Sequence, residues 1–151
     1  MKYEEVKNRL EQLELITQQN NPSSDEFQNA SAEIFAILLK DMNIREFEFM
    51  GRHMGRRMTI DDEARLVVAA AEGRPLTDAI PLSVNADVAY KIKRSRLNHG
   101  LSQQELGNLV GMTQAQIAKI ENDQTNINLE MLNKIIDVLG GKMEIQFDVG
   151  A

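Results

Sequence analysis

The chain has 151 residues, 42 % of them hydrophobic, a net charge of −6 and no cysteine. That length bounds it to one domain or two small ones with enough apolar side chains for a core. The absent cysteine excludes a disulfide framework and a thiolate metal site, and the negative charge argues against indiscriminate nucleic-acid binding. No apolar run approaches the ~18 residues of a membrane span. Charge interrupts the opening Met-Lys-Tyr-Glu-Glu where a signal peptide needs an apolar stretch, so a cytoplasmic location is expected.

Residues 1–74 read as a helical region. Tyr3, Val6, Leu10 and Leu13 recur at 3-4-3 spacing, giving a first helix with a narrow apolar seam. Such a seam suits packing on its own domain or pairing with another subunit. Asn20-Asn21-Pro22-Ser23-Ser24 breaks the helix. Ser24 or Asp25 caps a second one, with Phe27, Ala30, Ile34, Phe35, Ile37 and Leu38 inward. A short third helix holds Phe47, Met50 and Met54. The cluster Arg52-His53-Met54-Gly55-Arg56-Arg57 reads as a solvated polar face or as a seat for phosphate or an acidic partner. Thr59 and Asp62 form a capping box for a fourth helix, with Leu66, Val67, Ala69 and Ala70 inward. Gly73-Arg74-Pro75 ends it, residues 75–84 read as a linker, and residues 85–151 as a second domain. His53 and His99 lie apart with no ligand set around them, and residues 1–83 hold no nucleophile–base pair and no phosphate-cradling glycine loop. No catalytic, metal-binding or cofactor-binding residue is therefore expected, and no enzyme.

Charge is uneven. Residues 84–151 carry seven basic and eight acidic side chains, residues 1–83 ten and fifteen, so the acidity sits in the first half. Four of those seven bases, Lys91, Lys93, Arg94 and Arg96, share one predicted helix and form a strip that is either phosphate-facing or merely solvated.

The most informative stretch follows. Ser102 and Glu105 form a capping box; Leu106, Leu109 and Val110 fall at helical spacing and are expected inward. Gly111 stops that helix, as only glycine turns left-handed without steric cost. Met112 plugs the turn and Thr113 caps the next helix, whose inward stripe is Ile117 and Ile120. Gly107, in the middle of the first helix, costs roughly 1 kcal/mol relative to alanine, a cost that a close approach of the second helix would explain. Outward lie Gln103, Gln114, Ala115, Gln116, Ala118, Lys119 and Asn122. A glutamine can pair with adenine N6 and N7 together, small alanines let a helix sink into the major groove, and Gln103, at a positive helix end, is placed to bond a phosphate.

This stretch resembles the lambda-repressor-like, or Xre, helix-turn-helix family. Leu101-Ser102-Gln103, Glu105-Leu106, Gly111, Gln114, Ile117 and Ile120-Glu121-Asn122 sit at the family's spacing. The run from Ala86 to Arg96 resembles its first helix, Asn126-Ile127-Asn128-Leu129-Glu130 its loop, and Met131 to Gly140 its closing helices. The resemblance covers about residues 85–140. Asp123 and Gln124 depart from it, standing where the family usually has glycine and a basic residue. It implies that Gln103 and Asn122 hold phosphates, with Ser102 capping and reaching a phosphate. Gln114 would read a base edge, flanked by Thr113, Ala115, Gln116 and Lys119.

Beyond Gly140-Gly141, Lys142 to Val149 alternates polar and apolar, the pattern of a half-buried strand. A lone strand needs a partner: its own copy about a twofold axis, or the run Ile80-Pro81-Leu82-Ser83-Val84. Some antitoxins of this helix-turn-helix type end in a similar tail that helps build the dimer. The expected fold is mainly α: a five-helix lambda-repressor-like domain with a short C-terminal β-strand, preceded by a helical region for dimerisation, sensing or partner binding. The expected function is sequence-specific repression of transcription by a homodimer on double-stranded DNA with two half-sites. The alternative is the antitoxin of a type II toxin–antitoxin pair, whose first half neutralises a toxin protein while the second represses the operon.

Overall fold

The computed structural model describes residues 2–150; Met1 and Ala151, the outer ends of the two expected domains, lie outside the described residues. It contains α1 (Tyr3–Gln19), α2 (Asp25–Leu38), α3 (Ile44–His53), α4 (Ile60–Ala71), α5 (Leu76–Ala79), α6 (Val84–Asn98), α7 (Gln103–Val110), α8 (Gln114–Glu121) and α9 (Leu129–Val138). The chain divides into two compact units that meet at Ser83 and Val84.

In the first unit, α1 packs on α2 and α4. Its seam of Val6, Leu10 and Leu13 is buried against this layer, with Met50 and Phe49 from α3 and Ala64, Leu66, Val67 and Ala69 from α4. The helices start where side-chain oxygens can accept the early backbone N–H groups: Ser24 from Phe27, Asn43 from Glu46 and Thr59 from Asp62. Phe35, expected inward, is exposed instead. The buried side of α2 runs along Ala30 and Leu38, and residue 35 lies about 100° round the helix from residue 34. Phe49, which the sequence reading did not place in the core, is buried beside Met50. The segment 75–84 is not a bare linker: it contains α5, whose Leu76 is buried, as is the following Ile80, and α5 packs on α4. Leucine and isoleucine at these positions bury apolar area, which a solvated linker does not.

Part of the basic cluster after α3 closes an ion pair. Arg56 grips Asp62 with both guanidinium nitrogens, while Asp62 Oδ2 also accepts from Thr59 N at 2.9 Å. The Arg56 hydrogen bonds hold the Asp62 carboxyl well below the usual carboxylate range. The adjacent Glu63 goes the other way. Burial, with Glu14 and Asp62 nearby, raises its carboxyl from 4.5 to about 7. A carboxyl raised in the folded state favours folding while protonated and opposes it once ionised. The contribution of Glu63 therefore falls as pH climbs from about 4.5 to about 7 and stays low above that. Glu63→Gln should stabilise the first unit by about 1–2 kcal/mol at pH 8, after discounting for solvent screening, and by almost nothing at pH 4. Urea melts of variant and wild type at both pH values check this; equal gains at the two would exclude titration of Glu63 as the cause.

The second unit holds α6 to α9 around one apolar cluster of Ile92, Leu106, Val110, Ile117, Ile120, Leu132, Ile135 and Leu139. Five helices were expected here and four are found among the described residues. Residues 129–138 form one continuous helix, capped by the Asn128 side chain and followed by the left-handed Gly140 (φ +72°), which leaves no length for a second. The expected strand is also absent. Residues 141–150 are exposed and belong to no strand, and no other strand exists among the described residues to pair with them. An isolated strand cannot bond its own backbone groups. No helix among the described residues is long and apolar enough to cross a membrane.

Candidate nucleic-acid interface

The turn between α7 and α8 fixes the geometry of this region. Ser102 Oγ accepts from Glu105 N at 3.0 Å and Glu105 Oε1 accepts from Ser102 N at 3.2 Å, closing the capping box. Gly111 ends α7 at φ +73°, and its N–H and that of Met112 both donate to the Gly107 carbonyl, Met112 at 2.8 Å. Gly107 itself lies under the turn: a β-carbon there would come 2.4 Å from the Met112 carbonyl oxygen. This contact is the close approach the sequence anticipates. It also corrects one residue. Leu109, expected inward, is 59 % exposed. Contact at Gly107 centres the buried arc of α7 on Leu106, Gly107 and Val110, and Leu109 rolls out of it.

From Thr113 onward the chain presents a polar face. Ile117 and Ile120 are buried, whereas Thr113, Gln114, Ala115, Gln116 and Lys119 are exposed. A second capping box, which the sequence reading did not foresee, starts α8: Thr113 Oγ1 accepts from Gln116 N at 3.1 Å and Gln116 Oε1 accepts from Thr113 N at 2.8 Å. Ala118 is half-buried, and its carbonyl accepts from Asn122 Nδ2 at 2.9 Å. Asp123 follows with φ +53°. That left-handed conformation explains why the resembled family favours glycine there; aspartate is one of the few other residues that tolerate it.

Behind this face lies a buried ion pair. Arg96 Nε and Nη2 donate to Glu121 Oε2 and Oε1 at 2.6 and 3.0 Å, and Arg96 Nη1 donates to the Leu101 carbonyl at 2.7 Å. Gln103 Nε2 donates to Glu121 Oε1 at 3.1 Å. The two charged residues are only 6 % and 1 % exposed. This network ties α6, the start of α7 and the end of α8 together, and brings Gln103 beside the turn that carries Asn122. It removes Arg96 from the basic strip. Lys91 pairs with Asp87 at 2.9 Å, and Arg94 donates to the Tyr90 hydroxyl at 3.1 Å. Among the described residues no cluster of His, Cys, Asp and Glu side chains is placed to hold a metal ion.

Comparison with known proteins agrees with this geometry. A helix-turn-helix family model matches residues 92–145. A Haemophilus influenzae protein described as an uncharacterized HTH-type transcriptional regulator is 45 % identical over 51 residues, 34 % of this chain and 52 % of the relative. The chain thus spans about half the length of the curated relative it matches. No solved structure matches the chain.

Proposed function

We propose, from the premise that residues 92–145 are a helix-turn-helix domain of the lambda-repressor-like (Xre) family, that this protein is a DNA-binding transcriptional regulator acting in the cytoplasm. It represses as a homodimer on an operator with two half-sites. The observation that carries the reading is the exposed face of α8, with Gln114, Ala115, Gln116 and Lys119 projecting from a helix whose other side is locked into the core. A helix so held can enter the major groove without rearranging. Gln114 reads a base edge, Thr113, Ala115 and Gln116 shape the contact, and Lys119 neutralises a phosphate. Ser102, Gln103 and Asn122 flank the groove on phosphates, Gln103 being oriented by its bond to Glu121.

The test is fluorescence anisotropy on an operator selected from genomic fragments. Gln114→Ala should weaken specific binding by about 1–3 kcal/mol and relax one operator position. Lys119→Ala should weaken binding to all sequences and flatten the salt dependence. Both side chains are exposed, so neither change should move the melting curve. If neither alters operator affinity, α8 is not the reading helix.

A second reading is favoured by the first unit. Glu11, Glu14 and Glu63 line a cleft of about 800 Å³ between α1 and α4, beside Lys7 and Arg57, in the more acidic half of the chain. An acidic surface of this kind suits a basic protein, as an antitoxin requires. Pull-down from native cells, with and without nuclease, separates the two: a small basic protein retained after nuclease supports the antitoxin, and DNA alone supports a plain repressor.

A further inference from the structure

The cleft between α1 and α4 holds charge that its own lining does not balance. Its volume, about 800 Å³, lies within the range of small-molecule sites. Leu10, Ile34, Met58 and Ile60 give it an apolar lining, with Leu10 buried and the other three half-buried. Some of the charge around it is matched. Lys7 pairs with Asp61 at 3.6 Å, Arg65 reaches the same carboxylate at 3.0 Å, and Arg56 holds Asp62. Glu11, Glu14 and Glu63, which also line the cleft, form no ion pair among the described residues. Glu14 Oε1 accepts from the neutral amide of Gln18 at 3.4 Å. Arg57 is the lining base left over, exposed and in no ion pair among the described residues. Three unpaired carboxyls thus stand against one unpaired guanidinium. Glu14 and Glu63 are half-buried, where a carboxylate without a counter-charge is costly. Such an uncompensated group in a cleft marks a functional site more often than a structural one.

We propose that this cleft binds a small organic cation, an amine or guanidinium carried on an apolar body, with Glu14 and Glu63 as its charge partners. The apolar body displaces water from Leu10, Ile34, Met58 and Ile60, and the cation supplies the missing counter-charge. Each half of the ligand answers one half of the lining. A hydrated inorganic cation gains nothing from the apolar side chains, and a neutral apolar molecule leaves the carboxyls unpaired. Binding is linked to protonation. The charged groups around Glu63 are Lys7, Glu11 and Glu14 from α1, Asp61 and Asp62 from α4, and Arg56 and Arg57 before it; α2 adds Ile34 and no charge to the lining. With its carboxyl raised from 4.5 to about 7, Glu63 is mostly protonated at pH 6. A bound cation favours the ionised form, so binding at that pH expels a proton. Affinity therefore climbs as pH rises toward about 7 and levels off above it.

This inference rests on neither the repressor nor the antitoxin reading. The test is isothermal titration calorimetry of the full chain, without DNA, against phenethylamine, 4-phenylbutylamine and 6-phenylhexylamine. At least one of these amines should bind at pH 8. The alcohol of the same skeleton should bind at least tenfold more weakly, and so should methylamine, which has the charge without the apolar body. Glu14→Gln and Glu63→Gln should each weaken the amine at least tenfold. Arg57→Gln, which removes the competing guanidinium, should tighten it. Glu26→Gln, an exposed acid outside the cleft, should change nothing. Affinity should be roughly tenfold lower at pH 6 than at pH 8. Buffers of different ionisation enthalpy should show proton release at pH 6 in the wild type and none in Glu63→Gln. A melting curve no lower than that of the wild type confirms that each variant is folded. Absence of binding by all three amines, equal binding of the matching alcohol, or affinity indifferent to both glutamate substitutions would overturn the proposal. Because no DNA is present, each of those outcomes leaves the operator-binding reading standing.

Discussion

Arg96→Ala will destabilise the second unit by about 3–5 kcal/mol, the cost of removing one partner from a buried ion pair. The substitution leaves the Glu121 carboxylate, 1 % exposed, with the Gln103 amide as its remaining side-chain hydrogen-bond donor among the described residues, and also strips the donor from the Leu101 carbonyl. A small domain has about 5–15 kcal/mol in all, so the variant should lose most hydrogen-exchange protection at the α7 and α8 amides. Replacing both partners tells a different story. Arg96→Met/Glu121→Leu removes charge and counter-charge together and should be close to neutral, since no buried ion is stranded. Gln103 then loses its anchor, and operator affinity should fall although the fold survives. A double variant as unstable as Arg96→Ala would show that shape, not charge, is what the pair contributes.

Gly107→Ala is the second large effect, and its sign is the informative part. At an ordinary helix position alanine gains up to about 1 kcal/mol over glycine. Here the new methyl would sit 2.4 Å from a backbone oxygen of the turn, which cannot swing aside as a side chain could. The turn must lift, and the cost should be about 1–3 kcal/mol, as for other overpacked sites. Lifting the turn also displaces α8 from α7, so the fraction that remains folded should bind operator less well. Asn108→Ala, one residue along and exposed, is the control and should do neither. Urea unfolding and anisotropy on the same samples check both; a stabilised Gly107→Ala would mean that the turn does not rest on this glycine.

What could be read in the sequence follows the range of the forces involved. Capping at Ser102 and Thr59, the stop at Gly111 and the close approach at Gly107 are local, and residue type alone announces them. Leu109 and Phe35 were misplaced because a helix of two to four turns admits more than one apolar arc, and distant contacts choose between them. The Arg96–Glu121 pair links residues far apart in sequence, yet it left a trace. Arg96 lies four residues after buried Ile92, and Glu121 four after buried Ile117, so each charge stands in line with an inward side chain. Opposite charges on two buried stripes are a signature of an internal pair that the count of surface bases obscured. The tail shows a further limit. Its alternation is a strand pattern, but a strand needs a second strand to bond its backbone, and among the described residues none lies beside it.

The capping box at the start of α8 has a consequence for base preference. Gln116 Oε1 accepts from the backbone N–H of Thr113, so one of its two lone pairs is committed to the cap and the side chain's orientation is tied to it. Held there, its amino group can donate to N7 of either purine, to guanine O6 or to thymine O4, whereas the two-bond fork that marks adenine requires the oxygen to turn toward the base. Freeing the oxygen would forfeit part of the cap, about 0.5–2 kcal/mol. Gln114 carries no such commitment among the described residues and keeps both halves of its amide. Two glutamines two positions apart thus differ in vocabulary: in the proposed complex Gln114 can name adenine, while Gln116, held by its cap, donates to whichever acceptor it meets.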